Sequence, residues 1–225
     1  MTEEERLIKR EQKRLAEIER THLMYTYERE ASAGALFIAG VDEVGRGPLA
    51  GPVVAGAVIL PADHEILGLN DSKKLSEKRR TEMDRIIREQ AVAIGLGVVS
   101  QERIDEINIL QATYEAMRLA IADLATEPDL LLVDAVTIPD IAIRQNPIVK
   151  GDAKSASIAA ASIVAKVFRD NLMVEYDAQF PGYDLASNKG YGTKKHIEAI
   201  RSLGPTPLHR RSFIGKFISG DHHGE

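Results

Sequence analysis

The sequence predicts an α/β domain, and three patterns carry that expectation. Short apolar runs bounded by turn residues or acids, at 36–41, 53–60, 91–99 and 130–134, have the length and β-branched content of strands. Longer stretches with apolar residues three and four apart alternate with them, as amphipathic helices require. Strands and helices interleaved in this way are expected to build one mixed sheet flanked by helices, here behind a helical N-terminal extension.

Residues 1–30 are charge-dense and carry Ile8, Leu15, Ile18 and Tyr25 at helical spacing, so they read as an amphipathic helix that the run Ala31-Ser32-Ala33-Gly34 breaks. Its apolar stripe is expected to pack on the main domain or on a further N-terminal piece. The strands at 36–41 and 53–60 are joined by a glycine-rich loop. A helix at 77–90, capped by Ser76, leads to the third strand. A longer helix at 107–125 places Ile107, Leu110, Tyr114, Met117, Ile121 and Leu124 on one face. Pro128 precedes the fourth strand, whose unbroken run Leu130–Val133 implies burial on both faces. A short strand at 141–144, an Ala/Ser-rich helix at 155–176 suited to close packing, and a helix at 194–203 complete the reading. The expected organisation is an extension over 1–34, one domain over 35–217 and a flexible tail over 218–225, with no internal repeat.

Composition bounds the function. Of 225 residues, 44% are hydrophobic and 28% charged, the balance of a soluble globular protein. No apolar run approaches the ~20 residues of a membrane span, and the N-terminus is charged rather than signal-like. With no cysteine, disulfides and thiolate metal sites are excluded, and a cytoplasmic location is expected. The net charge of −5 is uneven. Residues 186–217 hold seven Lys/Arg and one acid, a local +6 that leaves −11 for the rest. Such a segment suits a nuclease opposite a carboxylate cluster, or is simply a solvated basic face.

Four acids stand where strands or loops end. Asp42 and Glu43 close the first strand, Asp134 closes the fourth, and Asp152 lies in Lys150-Gly-Asp-Ala-Lys154. In sheet enzymes ligands gather beyond strand ends, so these acids can converge from distant parts of the chain. Carboxylates so gathered repel one another unless cations neutralise them, and oxygen-only donors suit Mg²⁺ or Mn²⁺. Two such ions would support in-line displacement at phosphorus. Because adjacent strand residues face opposite ways, Asp42 and Glu43 share a site only if the strand ends or kinks there. Asp152 could instead cap the next helix. Asp170, ~27 Å further along a continuous helix, is expected at the surface. The loop Gly45-Arg46-Gly47 lets backbone approach a ligand closely. It lacks the Lys-Ser/Thr of a nucleotide loop, and the six histidines show no HExxH.

Taken together, the run from Val41-Asp-Glu-Val-Gly-Arg-Gly to Pro52, Asn70-Asp-Ser-Lys-Lys74, Val133-Asp134, Lys150-Gly-Asp through Lys166, Gly190-Tyr-Gly192 and His209-Arg-Arg-Ser-Phe213 resemble bacterial ribonuclease HII, the type 2 ribonucleases H. The resemblance spans about residues 36–214, in family order. It implies an RNase H-like fold and a metal-dependent endoribonuclease acting on RNA–DNA hybrids and on single ribonucleotides embedded in duplex DNA. The implied cut lies 5′ of the ribonucleotide and leaves 3′-hydroxyl and 5′-phosphate ends. It assigns Asp42, Glu43, Asp134 and Asp152 to catalysis and to metal binding, with two ions expected alongside substrate. Gly45, Arg46 and Gly47 correspond to the family's ribose reader, and Tyr191 to a tyrosine that stacks on the next sugar and favours an RNA-to-DNA junction. Asn70, Ser72 and Lys73 resemble phosphate contacts. Arg210, Lys194 and Lys195 are expected to meet the backbone phosphates, and Asp71 to be a turn residue. Tyr191 could alternatively be a loop aromatic covering the core. The expected state is a monomer. A non-catalytic hybrid-binding scaffold and another nuclease or strand transferase of RNase H-like fold are the competing readings.

Overall fold

In the computed structural model, which describes residues 2–218, the apolar runs form one sheet. Its strands are β1 (Ile38–Val44), β2 (Val53–Ile59), β3 (Ala93–Val99), β4 (Leu130–Asp134) and β5 (Arg144–Ile148), in the spatial order β3-β2-β1-β4-β5. The pairs β1–β2 and β2–β3 are antiparallel, whereas β4 runs parallel to β1 and β5 parallel to β4. All seven positions of β2 and the first four of β4 are buried, which is why both read as unbroken apolar runs. The strand expected at 141–144 is displaced to Arg144–Ile148. It is an edge strand carrying Gln145, Asn146 and Pro147, where a proline is tolerated and no apolar pattern is needed.

The helices are α1 (Glu3–Met24), α2 (Thr26–Ala31), α3 (Glu77–Gln90), α4 (Gln101–Ala122), α5 (Ala156–Gln179), α6 (Leu185–Asn188), α7 (Lys194–Leu203) and α8 (Arg211–Ile218). Ser76 caps α3 through the Arg79 N–H, as expected. Two helices cover opposite faces of the sheet. A Cβ at Gly95 or Gly97 would run into the carbonyl oxygens of Ala120 and Ala116 on α4, and one at Gly40 into the α5 backbone at Ser157 and Ile158. That closeness corrects the helix expected at 107–125. α4 begins earlier, with the Ser100 hydroxyl as cap, and kinks at Asn108 (φ 69°), whose side-chain oxygen accepts from Leu110 and Gln111 N–H. Of the expected face, Met117 and Ile121 are buried as read, but Leu110 is 41% exposed, and where α4 backbone meets the glycines the buried positions are Ala116 and Ala120.

Only the end of the N-terminal stripe docks. Ile8 and Leu15 stay exposed, while Met24 and Tyr25 join the cluster of Val58, Ile66, Leu69 and Val164. The Tyr25 hydroxyl accepts from Ile66 N–H at 2.9 Å, and Arg20 donates to the Leu69 carbonyl at 2.6 Å. Glu28 accepts from the hydroxyls of Ser155 and Ser157 (2.6 Å each) and from Ser157 N–H (2.9 Å). Its charge thus meets the positive end of α5. No helix among the described residues is long and apolar enough to cross a membrane. The tail expected at 218–225 lies outside the described residues, apart from Ile218 at the end of α8.

Candidate active site

Strand register brings the first two acids together. β1 and β4 pair up to Val41 opposite Val133, so one residue further Asp42 stands beside Asp134, both on the α5 side of the sheet. Gly151 N–H donates to Asp134 Oδ1 at 2.6 Å and draws in the 3₁₀ turn Gly151–Ala153 that carries Asp152. Asp152 does not cap α5; the Ser155 hydroxyl does, accepting from Ile158 N–H. Glu43 still pairs with β2, so the strand does not end there. β4 ends at Asp134, so beyond Asp42 the β1 strand has no β4 partner, and there Arg46 donates to the Glu43 carboxylate at 3.2 Å. It lines a cleft of about 380 Å³ with Ser162, Lys166, Asp170 and Tyr191. Asp170 is therefore not the surface residue expected: it is half-buried and paired with Lys166 at 2.6 Å.

The acids share one electrostatic environment. Burial, then the charge of Glu43, pushes the Asp42 carboxyl well above the usual carboxylate range, with Asp134 adding to the rise. Burial also raises Glu43, against the opposing pull of Arg46. Asp152 is raised by burial and by the charges of Asp71 and Asp134. Among the described residues no three acids or imidazoles already form an ion cage. The donor set nevertheless fits a hard divalent cation: four oxygen-only side chains, three of them disfavoured as anions, with Asp42, Glu43 and Asp152 each feeling the charge of Asp134. Beside Asp152 stands Lys73, 4.0 Å away. Burial works against its charge, but Asp152, Asp42, Asp71 and Asp134 outweigh it and raise its pKa.

The remaining sequence candidates divide. Lys73 is exposed beside the acids, and Asn70 is half-buried, its side-chain oxygen accepting from Asp71 N–H. Asp71 forms the expected turn, accepting from Lys73 N–H at 2.9 Å, yet it also faces Asp152, which no periodicity in that loop announced. Ser72 is corrected: it is 3% exposed and its hydroxyl is paired with Ser162 at 2.9 Å, so it packs the cleft floor. Lys194 and Lys195 are exposed, 4.0 Å from Glu198 and 3.1 Å from Asp184 respectively.

Arg210 is the larger correction. Its side chain is fully buried, and its guanidinium donates to the carbonyls of Gly45 (2.6 Å), Arg46 (2.9 Å) and Gly51 (2.8 and 3.0 Å), leaving it no route to a phosphate. It supports the loop from below. Arg169, unforeseen, does the same through Ala50, Pro52 and Lys189. Its four-residue spacing from buried Ala165 and Met173 was the available signal. Gly45 has φ 90°, and a Cβ there would strike the Arg169 side chain, so this loop conformation requires glycine. Tyr191 is 44% exposed, its ring 3.7 Å from where a Gly47 Cβ would stand. It does not cover the core.

Behind Tyr191 lie two buried imidazoles, His196 and His209, 3.1 Å apart at their Nε2 atoms. Burial lowers both, and the neighbouring His196 helps bring His209 down to about 4. A folded-state pKa below the unfolded value of 6.5 means that the unfolded chain binds more protons between the two. Stability is then complete above about pH 6.5 and is lost as pH falls toward 4. His209→Gln is expected to flatten this loss in thermal melts taken from pH 7 to 5; an equally steep fall in the variant would assign it to other groups.

Comparison with known proteins follows the same lines. A model of the family "Ribonuclease HII" matches residues 39–216. A ribonuclease HII of Lachnoclostridium phytofermentans is 62% identical over 202 residues, covering 89% of this chain and 80% of that protein. The ribonuclease H2 of Pyrococcus horikoshii superposes with a TM-score of 0.67 at 24% identity, over 82% of this chain and 100% of the other, and so shares the RNase H-like fold. Bst-RNase HIII, solved in complex with Mn²⁺, has a TM-score of 0.56 at 20% identity, over 76% of this chain and 64% of the other.

Proposed function

The chain belongs to the ribonuclease HII family and is therefore an endoribonuclease acting on RNA–DNA hybrids; we propose that it also incises duplex DNA at single embedded ribonucleotides, as a cytoplasmic monomer. The cut is placed 5′ of the ribonucleotide, leaving 3′-hydroxyl and 5′-phosphate ends. The observation that carries this reading is the register that sets Asp42 beside Asp134, next to Asp152, Glu43 and the Gly45–Gly47 loop. All four acids come from one chain, so a single copy suffices. A non-catalytic scaffold fits neither the family nor a complete set of acids.

Asp42, Glu43, Asp134 and Asp152 are the proposed ligands of two Mg²⁺ or Mn²⁺ ions, a choice favoured by their oxygen-only donors and by the Mn²⁺ of the Bst enzyme. Bound, such ions supply an activated water and stabilise the leaving oxygen. The protein's own share is positional. Arg46 holds Glu43 at the cleft edge, and Lys73 offers a positive charge to the phosphate run beside Asp152. The exposed backbone at Arg46 and Gly47 reaches the ribose 2′-hydroxyl, the group that separates RNA from DNA, while Tyr191 stacks on the following sugar. Asn70, Lys194 and Lys195 are placed to steady the duplex through its phosphates without reading sequence.

Duplex DNA with one ribonucleotide, incubated with and without Mg²⁺ or Mn²⁺, tests this directly. Cleavage is expected only with both ribonucleotide and metal, and end mapping should place the nick 5′ of the ribose. Equal cutting of all-DNA duplex would overturn the ribose-reading role, and a nick on the 3′ side would overturn the end chemistry.

A further inference from the structure

Two consecutive buried residues, His209 and Arg210, lie beneath both substrate-reading elements. Their backbone is stitched to the glycine loop: Arg210 N–H donates to the Leu49 carbonyl and Gly51 N–H to the Leu208 carbonyl, each at 2.9 Å. From there the side chains diverge. Arg210 runs under the loop and gathers the carbonyls of Gly45, Arg46 and Gly51. His209 turns the other way, toward Tyr191. Its Nδ1 accepts from Thr206 N–H at 3.0 Å, its Nε2 lies 3.1 Å from His196 Nε2, and His196 Nδ1 lies 2.9 Å from the Tyr191 carbonyl.

The hydrogens on this chain are fixed by its ends. A carbonyl only accepts, so His196 Nδ1 carries a hydrogen and its Nε2 accepts; His209 Nδ1 accepts, so the hydrogen between the rings sits on His209 Nε2. One neutral tautomer of each ring satisfies all four nitrogens. A second tie, Leu49 N–H to the Gly190 carbonyl at 2.7 Å, joins the two loops. His196, His209 and Arg210 are 0%, 2% and 0% exposed, so none of them touches substrate.

We propose that His209 and Arg210 are positioning residues that fix the separation between the Gly45–Gly47 loop and Tyr191, and with it the enzyme's preference for an RNA-to-DNA junction. The proposal rests on the reading that these two elements hold successive sugars. Networks of this kind act as units, so its members should not contribute independently.

The readout is the ratio of kcat/KM for DNA with one ribonucleotide to kcat/KM for a uniform RNA–DNA hybrid. Tyr191→Ala is expected to lower the ratio about 10-fold, the size of one stacking contact. His209→Gln should lower it in the same direction by roughly threefold, and the double variant should fall no further than Tyr191→Ala alone. A merely structural role would reduce both rates in parallel and leave the ratio unchanged. Thr206→Val, at a half-exposed position, removes the hydroxyl that lies 2.9 Å from His209 Nδ1 and gives the same readout if His209→Gln does not fold. An unchanged ratio in these variants, with Tyr191→Ala still effective, overturns the proposal. No effect of Tyr191→Ala would instead overturn the sugar-stacking role, and the proposal would fall with it.

Discussion

Asp134→Asn is expected to lower cleavage of ribonucleotide-containing DNA by about 1,000-fold or more, the scale of losing one preorganised charged group at a reacting centre. The fold should survive. Asparagine keeps an oxygen for Gly151 N–H, which donates to Asp134 Oδ1 at 2.6 Å, so the turn carrying Asp152 stays tied to β4. The variant also removes one negative charge from beside Asp42 and Glu43, whose carboxyls burial and mutual repulsion already disfavour as anions. Without added metal, its melting temperature should therefore equal or exceed that of the wild type. Mn²⁺ should raise the wild-type melting temperature by more than that of the variant. Wild-type turnover in Asp134→Asn would remove the metal-bridging role from this residue.

Gly40→Ala is expected to have the largest effect on the fold. The added methyl meets Ser157 and Ile158 backbone on α5, which cannot swing aside as a flexible side chain would, and overpacking of this kind costs about 3 kcal/mol. Relief requires α5 to lift from β1. Asp42 lies two residues along β1 on the same face, and the lifted helix would carry Ser162 and the Asp152 turn away from it. Activity should thus fall along with the denaturation midpoint. A variant with an unchanged midpoint would show that α5 is not seated on β1 as described.

Where the residues state their surroundings, the sequence was legible. Leu130–Val133 could be read as doubly buried, the Ala/Ser run as a close-packed helix, and Asp134 and Asp152 as strand-end and turn groups, because each rests on local pattern, whereas β1 runs on past Asp42 and Glu43 to Val44. What was not legible depends on partners distant in the chain. Leu110 stays exposed although Met117 and Ile121 of the same stripe are buried, and Gly95 and Gly97 bring the α4 backbone at Ala116 and Ala120 against β3. β5 is an edge strand with no apolar alternation to reveal it. Arg210 and Ser72 are polar residues that the family resemblance suggests for phosphate contacts, yet loop carbonyls engage the one and the Ser162 hydroxyl the other. Charge told which residues were polar, not whether they faced solvent.

The hold that Glu28 has on Ser155 and Ser157 bears on how this protein can be handled. The α5 start next to Asp152 borrows a carboxylate from residues more than a hundred positions upstream. A minimal version trimmed at the small-residue run 31–34 would take away the carboxylate that Ser155 and Ser157 share and leave a helix end uncompensated beside the turn that carries Asp152. Boundaries for shortened or fused versions belong upstream of Arg20, so that the Leu69 tie and the Glu28 clasp travel with the enzyme.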